Sequence, residues 1–265
     1  SPQNVIGELK IAKQKYNFNV VSFIDDIFTY DKEYLRKFLP LYKKEIDIPF
    51  VALAHPLYVD DEIAMILKQS GCTKLQIGIQ TFNEVVKRKM MSRIETNDDI
   101  IRAIKACNKY NLNFIVDHMF GFGETDEEIK YAVLLYNKYR PVRINCYWLQ
   151  YYPSTTVIQK TKATEEQIKE AEEGKQNTYF TGGSVKDKNS IKLIKNYQFI
   201  MKSLQIWPKC MVKFFIKSKI YKFFHFIHTG PFEIFVAIKT NDNCVFNYVS
   251  YYTFNFKKLL KKKLD

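Results

Sequence analysis

Apolar positions along this chain gather into five short runs, and each run ends in polar residues or glycine. Residues 18–24 (FNVVSFI) run into Asp25 and Asp26, and residues 49–54 run into His55 and Pro56. Residues 74–80 set Leu75, Ile77 and Ile79 against Gln76, Gly78 and Gln80, the period of two that marks a strand. A fourth run from Asn113 enters the turn Gly121, Phe122, Gly123, Glu124, Thr125, and a fifth, residues 142–149, ends near Tyr151, Tyr152 and Pro153. Helical stretches separate them. Ser1 and Pro2 fit an N-cap with Pro at the first helical position, ahead of Val5, Ile6 and Leu9. Asp60 caps a helix carrying Ile63, Ile66 and Leu67 that Gly71 stops, and Asn97 caps one carrying Ile100, Ile101, Ile104 and Cys107. Another helix starts near Asp31, and Thr125 and Glu128 have the spacing of a capping box. Strands alternating with helices predict an α/β fold with a parallel sheet and right-handed crossovers, open or closed into a barrel.

In both forms ligands sit at the carboxyl ends of the strands. Asp25, Asp26, His55, Gln80, Gly121, Gly123, Glu124 and Tyr152 all fall at or just beyond those ends. Glycine at a strand end lets another molecule approach the backbone, although the same glycines also serve plain tight connections. The carboxylates of Asp25 and Asp26 suit ribose hydroxyls, an amine or a metal; the competing reading is a turn pair ahead of the next helix. Glu124 reads better as orienting its turn than as an acid–base catalyst. His118 neighbours Asp117, but successive strand residues point to opposite faces, so a packed histidine is the better reading.

Several of these pieces resemble the radical S-adenosylmethionine enzymes, most closely the class that carries a cobalamin-binding domain ahead of its radical domain. The matching segments are SPQNVIGEL at the start, FIDDIFT at 23–29, HPLYVDDEIAMILKQSGCTKLQIGIQTFNEVVKRKMMSR at 55–93, VDHMFGFGETDEEI at 116–129 and YYPST at 151–155. They occur in the family's order over roughly residues 1–160. The resemblance implies a partial parallel (β/α) barrel, here lacking its first strand, with S-adenosylmethionine across the strand ends. It implies cofactor contacts from Asp25, Asp26, Gln80, Gly121, Gly123 and Glu124, and from Arg93, whose guanidinium suits a carboxylate. The solvated strand end competes for Gln80, and a surface group with Lys87, Arg88 and Lys89 competes for Arg93. The resemblance also implies a 4Fe–4S cluster and points to cobalamin. Two departures stand out: the family's Gly-x-Pro-Gly-Glu-Thr is one residue shorter here, and its Cys-x3-Cys-x2-Cys loop has no counterpart in this sequence.

The five cysteines, Cys72, Cys107, Cys146, Cys210 and Cys244, lie tens of residues apart. Clusters draw thiolates from closely spaced runs, so these read as reduced packing thiols in a cytoplasmic setting, and no metal ligand is assigned. The expectation is a chain that starts just downstream of its cluster loop and supports no radical chemistry by itself.

Charge divides the chain. Residues 1–185 carry 25 Lys and Arg against 24 Asp and Glu, whereas residues 186–265 carry 16 against 4, most of the net +13. With the sequence resemblance, this places a barrel portion at 1–160 and a mainly helical, basic, aromatic-rich region at 161–265. Residues 190–229 are expected to form amphipathic helices that bury Phe and Tyr on the barrel. The basic aromatic surface suits three partners: a structural cap, an anionic membrane surface or lipid-like substrate, and, with least support, single-stranded nucleic acid. His225 and His228 read as amphipathic filler rather than a metal pair. No apolar run reaches the roughly 18–20 residues that span a bilayer, and the expected location is cytoplasmic, with association to a membrane surface.

The function implied is a portion of a radical S-adenosylmethionine iron–sulfur enzyme, in cobalamin-dependent methyl transfer or related modification of a small-molecule or lipid-like substrate. The alternative is a noncatalytic barrel that lost its cluster loop and binds a ligand or partner. A third reading is an unrelated barrel enzyme holding a divalent metal with Asp25, Asp26 and His118.

Overall fold

The computed structural model describes residues 1–161, 163–173 and 184–242. Five strands form one sheet in chain order: β1 (Val21–Phe23), β2 (Phe50–Ala54), β3 (Cys72–Gln80), β4 (Phe114–Phe120) and β5 (Arg143–Trp148). Pairing from β1 to β4 is parallel, with Phe23 opposite Ala52, Ala54 opposite Ile77 and Ile77 opposite Val116. A doubly wound sheet reverses its strand order at a switch point; this one never does, and such winding belongs to a barrel. The α/β class and partial-barrel expectation therefore stand.

The helices are α1 (Pro2–Lys15), α2 (Lys32–Glu45), α3 (Asp61–Gln69), α4 (Glu84–Met91), α5 (Asn97–Lys109), α6 (Asp126–Tyr139), α7 (Thr156–Lys160), α8 (Glu165–Glu172), α9 (Lys188–Lys202), α10 (Lys209–Lys217) and α11 (Gly230–Lys239). Their starts follow the side chains that satisfy free N–H groups. Ser1, Asp31 and Asp60 accept from the backbone of Asn4, Tyr34 and Ile63, and Thr125 forms the expected box with Glu128. The α5 cap is one residue earlier than expected. Thr96 and Asp99 close a capping box, while Asn97 is the first helical residue and spends its side chain on Lys87 and the Phe82 carbonyl.

The chain packs as two compact units, Ser1–His118 and Met119–Asp265. In the first, α1 packs on α2, α2 on α3 and α3 on α5, and α3 also packs on β3. Leu75, Ile77 and Ile79 are buried, as are Phe38, Leu39, Tyr42, Ile63, Leu67 and Ile104 on the helices. On the other face of β3 and β4, the Gln76 amide donates to both Asp117 oxygens at 3.0 and 2.8 Å. Period-two alternation thus separates an apolar, helix-covered face from a polar one.

In the second unit, α9 packs on β5 and α6. Tyr197, Phe199 and Tyr221 are buried there, and the Tyr197 and Tyr221 hydroxyls both donate to Asp126 at 3.0 Å. The expected burial of the aromatic faces holds for those three rings and in part for Phe215 and Phe224, which are half-buried and pack edge-on against each other. Phe214, Phe223 and Phe226 are exposed: α10 turns Val212 and Ile216 inward, and the segment after it turns Tyr221 inward. Cys244 lies outside the described residues.

Truncating a β3 side chain tests the apolar face. Ile77→Ala should lower unfolding free energy by about 2–5 kcal/mol in urea titrations, since Ile77 is fully buried; a loss below 1 kcal/mol would contradict its place in the core.

Candidate functional site

The carboxyl end of β3 is built around a register irregularity between Gly78 and Gln80. Gln80 adopts φ +64°, a left-handed conformation that costs a non-glycine residue about 1–2 kcal/mol. Strain of this kind persists only where surrounding contacts enforce it. Arg93 supplies one: its Nη2 donates to the Gly78 carbonyl at 2.6 Å, and its Nε donates to Glu95 Oε1 at 2.6 Å. A Cβ on Gly78 would sit 3.1 Å from Gln80 Nε2, so glycine leaves room for that amide. Gln80 Oε1 is buried and has no hydrogen-bond partner among the described residues.

Glu95 is fully buried, with His55 Nε2 3.2 Å from Oε2 opposite the Arg93 contact. The Leu57 N–H donates to His55 Nδ1, so the Nε2 side faces the carboxylate as the protonated nitrogen. Burial pushes the Glu95 acid upward, but His55 and Arg93 outweigh it and hold the group down at about 2. Lys87 is buried beside this network; burial pulls its ammonium below the ordinary value, and its Nζ donates to Asn97 Oδ1. Sequence reasoning placed His55 at a strand end but missed its pairing with Glu95. Glu95 carries no spacing signal, because it looks like one more polar residue ahead of the α5 cap.

Asp25 and Asp26 are exposed on the loop after β1. Asp25 borders a cavity of about 210 Å³ with Phe23, Tyr34 and Phe38. His118 is buried, and burial pushes its imidazole down to about 3, so it stays neutral at physiological pH. Buried His118 and the exposed aspartates are not brought together, and among the described residues no three His, Cys, Asp or Glu side chains form a metal-sized group.

In the second unit the expected glycine corner is present, and its two glycines differ. Gly121 has φ +116°, and a Cβ there would lie 2.8 Å from Leu149 Cβ and 3.3 Å from Val185 Cγ2. Its bareness serves the chain's own packing. Gly123 has φ +82° and nothing within 4 Å of its Cβ position, so this backbone is the open one. Glu124 turns back on the corner and accepts from the N–H groups of Gly121 and Phe122 at 2.9 and 3.0 Å. Burial raises its acid despite those donors. The carboxylate orients the turn.

These features define a parallel α/β protein with a polar strand-end rim in its first unit. Residues 1–135, just over half of the chain, match the model of the Radical SAM superfamily, and the chain belongs to that superfamily. It is 27% identical over 135 residues to an uncharacterized methyltransferase of Pyrococcus horikoshii, covering 50% of this chain and 29% of that protein. It is 30% identical over 130 residues to the heme chaperone HemW of Buchnera aphidicola subsp. Schizaphis graminum, covering 46% and 33%. Each match thus spans about a third of the relative. Among solved structures, the radical S-adenosylmethionine methyltransferase TsrM of Kitasatospora setae, with cobalamin and a 4Fe–4S cluster bound, superposes with a TM-score of 0.52. That likeness, at 17% identity over 59% of this chain and 32% of TsrM, is one of fold.

The superfamily implies S-adenosylmethionine and a 4Fe–4S cluster. The first fits the residues present: an orphaned buried acceptor on Gln80 suits an ammonium donor, and exposed carboxylates suit hydroxyls. The described cysteines do not fit the second. Cys72 and Cys107 are buried, and burial pushes their thiols up, that of Cys107 to about 12, which opposes the thiolate a cluster needs.

Two outcomes follow. Gly121→Ala should destabilise by about 2–4 kcal/mol through overpacking and left-handed strain, and Gly123→Ala by about 1 kcal/mol; equal losses in thermal unfolding would contradict the packing difference. The lowered Glu95 acid contributes stability that is fully present above its ordinary 4.5 and is lost as pH falls toward about 2. Glu95→Gln should cost about 3 kcal/mol at neutral pH, and the gap to the unsubstituted protein should close across that acid window; a pH-independent gap would remove the ion network as its cause.

Proposed function

We propose that this chain is the S-adenosylmethionine-binding portion of a longer radical S-adenosylmethionine enzyme, of the kind that transfers methyl groups with cobalamin. The observation that carries the reading is the strained, polar end of β3, where Gln80 holds a buried acceptor without a donor. In the first unit, Gln80 accepts from the cofactor's ammonium, and Asp25 and Asp26 take its hydroxyls. Arg93, already held by Glu95 and the Gly78 carbonyl, positions the β3 end and leaves Nη1 for the cofactor's carboxylate. In the second unit, Glu124 braces the glycine corner through the N–H groups of Gly121 and Phe122. When bound, S-adenosylmethionine supplies the group to be transferred or, with a reduced cluster, one-electron chemistry. The protein's own share is to bind, orient and exclude water. Methyl transfer is supported by the likeness to the Pyrococcus horikoshii methyltransferase and by the fold shared with TsrM; the substrate is small or lipid-like.

The unfitted thiols favour a second reading, a barrel that binds its ligand without catalysis. Calorimetry and anaerobic reconstitution with iron and sulfide separate the two. S-adenosylmethionine should bind the 265-residue chain, and Gln80→Ala should weaken it about tenfold, the worth of a hydrogen bond to a charged group. Unchanged affinity would remove Gln80 from the site. The chain alone should give no 4Fe–4S paramagnetic signal and no 5′-deoxyadenosine. A Cys-x3-Cys-x2-Cys sequence encoded in frame ahead of Ser1 supports the enzyme, and a start codon at that point supports the binding protein.

A further inference from the structure

Helix α10 and the 3₁₀ turn Ile220–Phe226 carry a surface that the strand-end rim does not use. Their inward side is satisfied by Val212, Ile216 and Tyr221, all buried in the second unit. Their outward side is apolar: Phe214 is 56% exposed, Phe223 68% and Phe226 79%, with Ile220 also open to solvent. Lysines interleave with these rings at positions 213, 217, 219 and 222, and residues 209–232 contain no Asp or Glu at all. Among the described residues none of those four lysines forms an ion pair, unlike Lys202, which pairs with Glu233 at 2.9 Å. Lys219, at φ +59°, caps the start of the turn just after α10, so the rings stand on two consecutive elements.

Large exposed rings on two consecutive elements that pack against each other mark an interaction site rather than ordinary surface scatter. We infer that α10 and the turn after it dock this chain on an anionic lipid surface. The rings enter the boundary between headgroups and acyl chains, and the lysines stretch back toward the lipid phosphates and carboxylates. Charge selects this occupant: a second copy brings the same +13, so like charge opposes pairing of copies through this face. Single-stranded nucleic acid fits less well, because base stacking uses aromatic planes and gains nothing from the aliphatic Ile220 that shares the patch. The inference is independent of the radical S-adenosylmethionine reading, since it needs neither the rim nor any cofactor.

Co-sedimentation of the full chain with vesicles tests it, using phosphatidylcholine alone and phosphatidylcholine mixed with phosphatidylserine. Binding is expected to the anionic vesicles at low salt and to fall steeply as salt shortens the screening length. Each Lys→Gln change at 213, 217, 219 or 222 should weaken binding about fivefold. The triple change of Phe214, Phe223 and Phe226 to Ser should abolish it with an unaltered circular dichroism spectrum, since all three rings are more than half exposed. No binding to anionic vesicles overturns the inference. So does equal binding to neutral vesicles, wild-type affinity in both sets of variants, or capture of a single-stranded oligonucleotide without vesicle binding.

Discussion

Parallel pairing obliges the chain to return to the same end of the sheet before each new strand can begin, and most of this protein follows from that obligation. The return paths are helices, each started by a side chain that accepts from its free N–H groups. Because every paired strand from β1 to β4 runs the same way, whatever follows a strand emerges on the same side as its neighbour's ending. His55, Gln80 and the loop of Asp25 are therefore rim residues by topology, before any contact is considered. The irregularity at Gly78 and Gln80 is where β3 leaves regular pairing, and Arg93 occupies the carbonyl left at that point.

Two acids show how the partner, rather than burial alone, decides ionisation. Both Glu95 and Glu124 are buried enough for desolvation to be their largest influence, and it pushes both upward. Glu95 meets Arg93 and His55, and their combined pull reverses the direction. Glu124 meets backbone N–H groups of its own turn, which do not, and the Glu128 charge pushes it up further. The first is a clamp across separate elements, and the second is a local brace.

Much of the fold was legible because it depends on local chemistry. Leu75, Ile77 and Ile79 alternate with Gln76, Gly78 and Gln80, so β3 and the assignment of its faces follow from period alone. Asp31, Asp60 and Thr125 announce their helices because a cap bonds within three residues of itself. The α5 cap was misplaced by one residue onto Asn97, whose side chain is taken by Lys87 and the Phe82 carbonyl, which leaves Thr96 to cap the helix.

The sequence by itself thus determined the α/β order, the strand ends and the family pattern, all of which rest on neighbours within a few residues or on motif order. Only the tertiary structure decided what those residues do. It joined His55 to the distant pair Arg93 and Glu95 and left Gln80 Oε1 without a donor. It filled the space at Gly121 with Leu149 while leaving Gly123 open. In the tail it buried Tyr197, Phe199 and Tyr221 and exposed Phe214, Phe223 and Phe226, a division that composition does not contain. The physical reason is common to all of these: desolvation, packing and ion pairing depend on which distant atoms come within a few ångströms, and spacing along the chain does not record that.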